Sequence, residues 1–153
     1  MKIRLEPVTV ASRAAVERLE TAPGQEGFVE SVAECLAEAD RRRCWRPVGV
    51  YDGDALIGFA MYGFFWEYLP FGRLWLDRLL IDRRFQGRGY GRAALAALLE
   101  RLEREYHKKR IYLSVVEANR PAAALYESFG FRFTGERDTH GERCLLYTSD
   151  AAD

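Results

Sequence analysis

The sequence predicts a single domain of the α/β (α+β) class, in which helices cover a mixed β-sheet. Of its 153 residues, 48% are hydrophobic and 30% are charged, and this composition suits one globular unit with a sizeable core. The β-rich and helical segments follow one another in the order βααβββαβαβ, without a linker or an internal repeat. One helix connects two apolar strands, and such a crossover implies that the sheet is mixed.

The first half of the chain predicts one strand, two helices and a β-hairpin. Lys2–Val8 alternates as a strand, and Thr9 or Ser12 can cap a helix in the segment that follows. A second helix is predicted from about Phe28 to Arg42. The β-rich runs WRPVGVYD and ALIGFAMYGFFW then flank Asp52-Gly53-Asp54, and Asp-Gly between two such runs is a strong hairpin signal.

The second half predicts strands and helices in alternation. The run GRLWLDRLLID, Gly72–Asp82, should pair beside the hairpin. After a glycine-rich turn, leucines keep a period of about 3.6 residues up to the basic stop HKKR. RIYLSVVE is then a strand, NRPAAALYESFG is a short helix with Pro121 tolerated in its first turn, and FRFTGERD is a last strong strand.

The end of the chain does not resemble the rest. CLLYTSDAAD, Cys144–Asp153, resembles the translation of a transposase-type sequencing adapter. We therefore expect the domain to cover residues 1–143 and residues 144–153 to be a non-native tail. The alternative is an ordinary terminal strand over Leu145–Tyr147 with a polar end.

Charge and composition exclude several classes of partner. Twenty-three acidic residues balance twenty-three basic ones, which removes a chain-wide attraction to nucleic acid or to an anionic membrane. No signal peptide is evident, and no apolar run approaches the ~20 residues of a membrane span. The three cysteines lack CxxC pairing, and only His107 and His140 could join them as ligands. We expect a cytoplasmic protein with no nucleic-acid or membrane partner and no metal.

The stretch RRFQGRGYGRAAL, Arg83–Leu95, predicts an anion site. It fails as a dinucleotide fingerprint, because Arg92 stands where the third glycine of GxGxxG belongs, and no Gly-Lys-Ser/Thr of a Walker loop follows. Glycines nevertheless let backbone N–H groups turn inward, and the helix that follows adds its positive end. Arg83, Arg84 and Arg88 join Arg92 around this turn, so a multiply charged ligand is favoured. The alternative is a tight connection flanked by solvated arginines.

Two motifs resemble the GNAT superfamily of N-acetyltransferases. Gln86–Gly91 is similar to its Q/R-x-x-G-x-G/A pyrophosphate motif, between the fourth strand and the third helix. Asn119–Phe131 is similar to its N-x-x-A-x-x-L-Y-x-x-x-G-F segment. The likeness spans about Ile3–Glu142 and implies the GNAT fold, with a mixed, mostly antiparallel sheet of six to seven strands and about four helices. GFAMYG, LWLDRLLID, RIYLSVVE and FVESVAECL resemble the diamine and spermidine/spermine members.

The resemblance implies acetyl-coenzyme A as co-substrate. Its pantetheine arm would lie along the fourth strand and exchange hydrogen bonds with backbone groups near Leu79 and Ile81. The residues implied in coenzyme binding are Leu79, Ile81, Gln86, Gly87, Arg88, Gly89, Tyr90, Gly91, Arg92 and Asn119.

Acetyl transfer to an amine needs a base, because alkylamines with a pKa near ~10 arrive protonated at neutral pH. Asp77 interrupts the apolar run Leu74–Ile81 where the polyamine acetyltransferases carry a carboxylate, directly or through a water. Tyr126 matches the family tyrosine that protonates the leaving thiolate. The alternatives are a paired structural aspartate and a core tyrosine. No cysteine falls at a motif position, which favours direct transfer in a ternary complex over an acyl-enzyme.

The acceptor side is less determined. Glu67 and Tyr68, with Trp66 beside them, could bind an alkylammonium by charge and cation–π contact, and Glu26 and Glu30 lie where the family's first helices line the acceptor cleft. A polyamine or diamine is the expected acceptor. The alternatives are another small amine, a protein amino group, or a non-catalytic acyl-coenzyme A sensor. A homodimer is compatible with this interpretation.

Overall fold

The computed structural model describes residues 1–21, 31–68 and 70–149, and within them it contains seven strands and four α-helices. The strands are β1 (Ile3–Pro7), β2 (Trp45–Asp52), β3 (Ala55–Phe65), β4 (Arg73–Ile81), β5 (Arg110–Val115), β6 (Arg132–Arg137) and β7 (Arg143–Thr148). The helices are α1 (Arg13–Glu17), α2 (Val32–Arg41), α3 (Tyr90–Tyr106) and α4 (Arg120–Ser128). None of the described helices is long and apolar enough to cross a membrane.

The strands form one sheet in the order β1-β2-β3-β4-β5-β7-β6, and every neighbouring pair is antiparallel except β4 and β5. The predicted fold class, a mixed and mostly antiparallel sheet with helices, is confirmed. The predicted hairpin is confirmed as well: Asp52 pairs with Ala55, and Gly53 between them has a φ of 60°. Glycine adopts this left-handed turn without the strain that a Cβ would bring.

Apolar clusters cover both faces of the sheet. On one face, the leucines of α3 pack with residues from the middle strands, and α4 adds Leu125. On the other face, Val16 and Leu19 at α1 and Val32 and Leu36 of α2 pack against Phe59. Since α3 follows β4 and α4 follows β5, the connections that lead into these two helices meet at the same end of the parallel pair.

One predicted boundary needs correction. Helix α2 does not begin at Phe28, which lies outside the described residues: Ser31 is its N-cap, with an extended backbone, and Val32 is the first helical residue. The Ser31 side chain accepts from the Glu34 N–H, and the Glu34 carboxylate accepts from the Ser31 N–H. This capping box makes Ser31 the start of the helix. Its side chains accept from N–H groups that would otherwise need the carbonyl groups of a preceding helical turn.

The segment interpreted as a tail contributes a strand. Strand β7 lies between β5 and β6 and pairs with both, so β6 forms the edge of the sheet. Cys144 and Leu145 are only 3% and 2% exposed. The strand over Leu145–Tyr147 that the sequence left open is therefore present within β7, the non-native origin of residues 144–153 stays a prediction, and residues 150–153 lie outside the described part of the chain.

Candidate functional site

Asp77 occupies a β-bulge in the middle of β4. Met61 of β3 pairs with Arg78 and Tyr62 pairs with Leu76, so Asp77 is an extra residue on its strand. Leu76 and Leu79 pack on the face covered by α3, whereas Trp75 and Leu80 pack on the face covered by α1 and α2. Leu76 and Leu79 lie on the same face, although two residues separate them. In a regular strand, only one residue separates neighbours on the same face. The bulge therefore turns both Asp77 and Arg78 towards the α1–α2 face.

Strands β4 and β5 separate beyond a single point of pairing. Their parallel ladder is confined to Trp75 opposite Tyr112. At the end where both strands lead into helices, a cavity of about 280 Å³ opens between β4 with its glycine turn and α4. Its walls are Thr21, Leu79, Leu80, Ile81, Phe85, Gln86, Gly87, Gly89, Tyr90, Gly91, Asn119, Pro121, Ala122, Leu125 and Tyr126. Eight of the ten residues predicted to bind coenzyme line this cavity, and Arg88 and Arg92 do not.

The backbone of β4 offers hydrogen-bonding groups to this gap. The Asp82 N–H donates to the Ile57 carbonyl on β3 over 2.8 Å. Because hydrogen-bonded positions alternate along an antiparallel pair, the main-chain groups of Leu79 and Ile81 point away from β3 and towards β5. The Gln86 side chain donates to the Ile81 carbonyl over 2.9 Å, so one of these groups is already bound within the chain. An extended ligand could pair with Leu79 as an additional strand does.

The glycine turn leaves the beginning of α3 open. Gly87 and Gly89 have φ values of 78° and 85°, and a Cβ at either would meet no atom within 4 Å. Gly89 is the N-cap of α3 and has no side chain to cap it, whereas Ser31 caps α2 and Asn119 caps α4. The first N–H groups of α3 therefore receive no cap from an N-cap side chain, and the helix dipole is positive at this end. Such an end binds anions.

The four arginines around this turn divide into two pairs. Arg83 bonds to Glu20 over 3.1 Å, and Arg84 bonds to Asp82 over 2.7 Å. Arg88 stacks on Phe85 at 5.7 Å, and Arg92 reaches the Ser128 hydroxyl at 2.9 Å.

Among the described residues, no carboxylate pairs with Arg88 or Arg92, which are both exposed beside the open end of α3. Two positive charges beside a helix N-terminus are unfavourable unless an anion joins them. Of the four arginines around the turn, Arg88 and Arg92 are the two predicted to bind coenzyme, and that role stays a prediction.

Tyr126 and Asn119 form the opposite wall on α4. The Tyr126 ring lies 5.8 Å from that of Phe131, and no described residue forms a hydrogen bond with its hydroxyl. Burial raises the pKa of Tyr126 to about 12, and the charge of Arg78 opposes this rise. The Tyr126 hydroxyl therefore keeps its proton at neutral pH. The Asn119 side chain accepts from the Ala122 N–H at 3.4 Å, so it holds the start of α4 at the cavity.

Tyr90 serves the fold as well as the cavity. Its hydroxyl donates to a carboxylate oxygen of Asp52 in the β2–β3 hairpin, and its ring lies 6.0 Å from that of Phe85. This bond fixes the first turn of α3 against the sheet, and it lowers the pKa of Asp52 below its usual range.

The predicted acceptor residues are only partly brought together. The ring centroids of Tyr68 and Trp75 lie 5.8 Å apart. Trp75 is on the same face of β4 as Asp77, at a distance of about 7 Å along the strand. Glu67 is paired with Arg42 over 2.8 Å. Trp66 is 71% exposed and packs on Phe64, which belongs to the opposite face. Glu26 and Glu30 lie outside the described residues.

Sequence reasoning missed several residues of the cavity region, among them Thr21, Phe85 and Asp82. Thr21 and Phe85 line the cavity, and Asp82 is a buried carboxylate at the end of β4. Asp82 ends the apolar run Leu79–Ile81, which was a readable signal, but its partner Glu20 lies 62 residues away.

A group that could hold a metal lies elsewhere. Asp138, His140 and Glu142, in the β6–β7 connection, each offer one ligand atom, and these atoms lie within 4.8 Å of one another. The Asp138 carboxylate already accepts the N–H groups of His140 and Glu142 over 2.9 Å each. None of the three lines the cavity.

Comparisons with known proteins show which family the chain resembles. A model of the acetyltransferase (GNAT) family matches residues 13–131. A spermine/spermidine N(1)-acetyltransferase of Bacillus subtilis (strain 168) is 44% identical over 149 residues, which is 95% of this chain and 98% of that relative.

Two solved structures share the architecture. Spermidine N-acetyltransferase from Vibrio cholerae, in complex with CoA and spermine, matches with a TM-score of 0.73 at 17% identity, over 97% of this chain and 96% of that chain. Aminoglycoside acetyltransferase AAC(6')-Ib in complex with coenzyme A matches with a TM-score of 0.82 at 19% identity, over 98% and 96%. At such identities these likenesses show the fold alone. The family model and the Bacillus relative go further, and the resemblance expected from the two motifs is confirmed: the chain belongs to the acetyltransferase (GNAT) family.

Proposed function

We propose that this acetyl-coenzyme A-dependent N-acetyltransferase acetylates a primary amine of a polyamine or diamine by direct attack in a ternary complex. The observation that supports coenzyme A binding is the open N-terminus of α3. It combines left-handed glycines, an N-cap without a side chain, and two exposed arginines that no described carboxylate pairs with, beside the mouth of the cavity. A pyrophosphate supplies the charge and the acceptor oxygens that this end of the helix lacks.

The rest of the coenzyme fits the cavity in an extended form. The pantetheine amides would pair with the main chain of Leu79 and Ile81, at the edge where β4 has no neighbouring strand. Gly91 leaves room for this approach: a Cβ there would lie 3.6 Å from Leu125, which is ordinary contact. The thioester would then lie between the Tyr126 wall and the bulge at Asp77.

The chemistry that we propose uses one group on each side of the thioester. Asp77 takes a proton from the alkylammonium, directly or through a water, and the neutral nitrogen attacks the carbonyl carbon. The carbon–sulfur bond breaks, and Tyr126 gives its proton to the departing thiolate. None of the three cysteines, Cys35, Cys44 and Cys144, lines the cavity, which supports direct transfer without an acyl-enzyme.

The acceptor assignment rests on the relatives and on the α1–α2 face. The Bacillus relative is a spermine/spermidine N(1)-acetyltransferase, and the Vibrio structure contains spermine. In this chain, Tyr68 and Trp75 lead along one face to Asp77. A long amine can contact these rings and the bulge together, and aromatic faces attract alkylammonium groups.

An acceptor panel tests this assignment. Free thiol release from acetyl-coenzyme A is followed with spermidine, spermine, a diamine, an aminoglycoside, a free amino acid and a peptide α-amine. We expect the polyamines to give the highest kcat/KM. Their KM should rise with salt, because several ammonium groups are attracted over a distance that ions screen. Turnover confined to the peptide or the aminoglycoside would discard the polyamine acceptor and leave the coenzyme site standing.

A matched pair of substitutions on α3 tests the coenzyme site. Gly91 lies in the first turn without a positive φ, so Gly91→Glu is compatible with the backbone and places a negative charge in the cavity. Ala96→Glu adds the same side chain to an exposed position of the same helix. We expect coenzyme A binding, measured by calorimetry, to be lost in Gly91→Glu alone. Equal affinity of the two variants would contradict the proposed site.

A further inference from the structure

Asp82 is a buried carboxylate at the point where β4 enters the glycine turn. It is 2% exposed, and no other charged side chain among the described residues is buried. Its Oδ1 accepts from the Glu20 N–H at 2.9 Å, and its Oδ2 accepts from Arg84 Nε at 2.7 Å and from the Arg84 N–H at 3.2 Å. Burial raises the pKa of Asp82, but these three donors outweigh it, and the pKa lies below its usual range. The carboxylate is therefore ionised at neutral pH.

The Asp82 carboxylate joins two segments that are distant in sequence. Glu20 follows α1, and its main chain is held on both sides: its N–H by Asp82, and its carbonyl by the Arg83 N–H at 2.8 Å. An exposed ion pair between Arg83 and Glu20 lies beside these bonds. We refer to Glu20, Asp82, Arg83 and Arg84 with these bonds as the Asp82 clamp.

The Asp82 clamp stands directly beside the cavity. Thr21, the residue after Glu20, lines one wall. On the other side of the clamp, Phe85, Gln86 and Gly87 line the wall that leads to the open end of α3. A shift of the clamp would therefore move two walls of the cavity relative to each other.

The stability of the fold does not explain this carboxylate. Val16 and Leu19 are 0% and 7% exposed and already hold the α1 segment to the sheet by apolar packing. Taking an ionised group out of water costs free energy that its partners only offset, so a buried ion pair is weak evidence for a stabilising role. What three directed hydrogen bonds supply is a fixed geometry between the segments that they join.

We propose that Asp82 is a positioning residue of the coenzyme site, which couples the wall at Thr21 to the glycine turn. This inference rests on the proposed coenzyme site. Coenzyme at the turn fixes Phe85–Gly87, the carboxylate transmits that constraint to the Glu20 N–H, and Thr21 is held at the cavity wall. By linkage, loss of the clamp weakens coenzyme binding.

The first test measures coenzyme A affinity in Asp82→Asn. The amide keeps the shape and one oxygen, but its NH₂ group cannot accept from the Arg84 N–H and Nε. We expect the Kd for coenzyme A to rise about tenfold, the effect of a buried donor left unpaired. At saturating acetyl-coenzyme A, kcat should stay within about twofold. Asp138→Asn is the matched control, because Asp138 accepts two main-chain N–H groups in the remote β6–β7 connection.

A second measurement uses the unaltered protein and needs no variant to fold. Hydrogen exchange at the Glu20 amide reports the bond to Asp82 directly, and we expect coenzyme A to slow it at least about tenfold. In Asp82→Asn, coenzyme A should no longer slow it. Two results would overturn the inference. One is a lower melting temperature of Asp82→Asn with an unchanged Kd for coenzyme A, and the other is an exchange rate at the Glu20 amide of the unaltered protein that coenzyme A does not change.

The Gly91→Glu variant separates the two proposals. If Gly91→Glu binds coenzyme A as the parent does, the coenzyme site itself is wrong. If Gly91→Glu loses binding while Asp82→Asn keeps the parent affinity, the site stands and the positioning role of Asp82 is wrong.

Discussion

Replacing Tyr126 by phenylalanine removes one hydroxyl from the cavity wall and leaves the ring on Phe131. Because no described residue forms a hydrogen bond with this hydroxyl, its loss breaks no bond that the structure shows. We expect the free energy of unfolding to change by less than about 1 kcal/mol, since a half-buried hydroxyl without a partner contributes little. Turnover should nevertheless fall about 10²- to 10⁴-fold, the contribution of a positioned general acid.

The pKa of Tyr126 fixes the shape of the pH profile. Burial raises it from 10.0 to about 12, which disfavours the tyrosinate by roughly 3 kcal/mol. The same burial raises the pKa of a thiol leaving group, so the proton transfer stays feasible. Tyr126 is protonated up to about pH 10, and the ratio of parent to variant turnover should be constant from about pH 7 to about pH 10. The part of the free energy of unfolding that depends on a protonated Tyr126 is fully present below about pH 10. It is lost only as the pH rises from about 10 to about 12.

The assay compares Tyr126→Phe with Tyr147→Phe. The Tyr147 ring lies 5.3 Å from that of the same Phe131, burial also raises its pKa, and it does not line the cavity. Initial rates of thiol release, coenzyme A affinity and melting temperature are measured for both. We expect both to bind coenzyme A as the parent does and only Tyr126→Phe to lose turnover. Parental turnover in Tyr126→Phe would show that the thiolate leaves without this proton, and Tyr126 would then be a packing residue.

Three further outcomes follow from the same geometry. Asp77→Asn should reduce turnover at neutral pH and recover towards pH ~10, where the amine is already neutral; a constant deficit at every pH would mean that Asp77 is not the base. Gly89→Ala and Gly53→Ala, at φ values of 85° and 60°, should each destabilise the fold by about 1–2 kcal/mol. Only Gly89→Ala should also weaken coenzyme binding in calorimetry, and equal affinities would contradict the role of the turn. Truncation after Arg143 removes β7 and should abolish the thermal transition, whereas truncation after Ser149 should preserve it.

Local signals predicted most of the elements. Asp52-Gly53-Asp54 identified the β2–β3 hairpin, and the glycines before Tyr90 identified the start of α3, because left-handed turns need particular residues. Ser31 and Glu34 carried a capping-box signature that would have placed the start of α2.

Pairing across the sheet could not be predicted in the same way. The bulge at Asp77 is defined by how β4 pairs with Met61 and Tyr62 on β3. No local sequence pattern in β4 predicts that pairing register. Arg83 and Arg84 resembled Arg88 and Arg92 in sequence, but Glu20 and Asp82 bind the first two. Glu20 is distant from Arg83 along the chain and is brought to it by the fold alone, whereas Asp82 lies only two residues from Arg84.

The position of β7 has a consequence for how the protein is made. As the chain leaves the ribosome, β5, α4 and β6 emerge before the strand that lies between two of them. The wall of the cavity on α4 cannot acquire its final support until Arg143–Thr148 has been inserted, and such non-local pairing is slow to form. The glycine turn and β1–β4 are complete much earlier in synthesis. The nascent protein thus acquires the half with the glycine turn first, and the tyrosine wall that completes the cavity becomes ordered last.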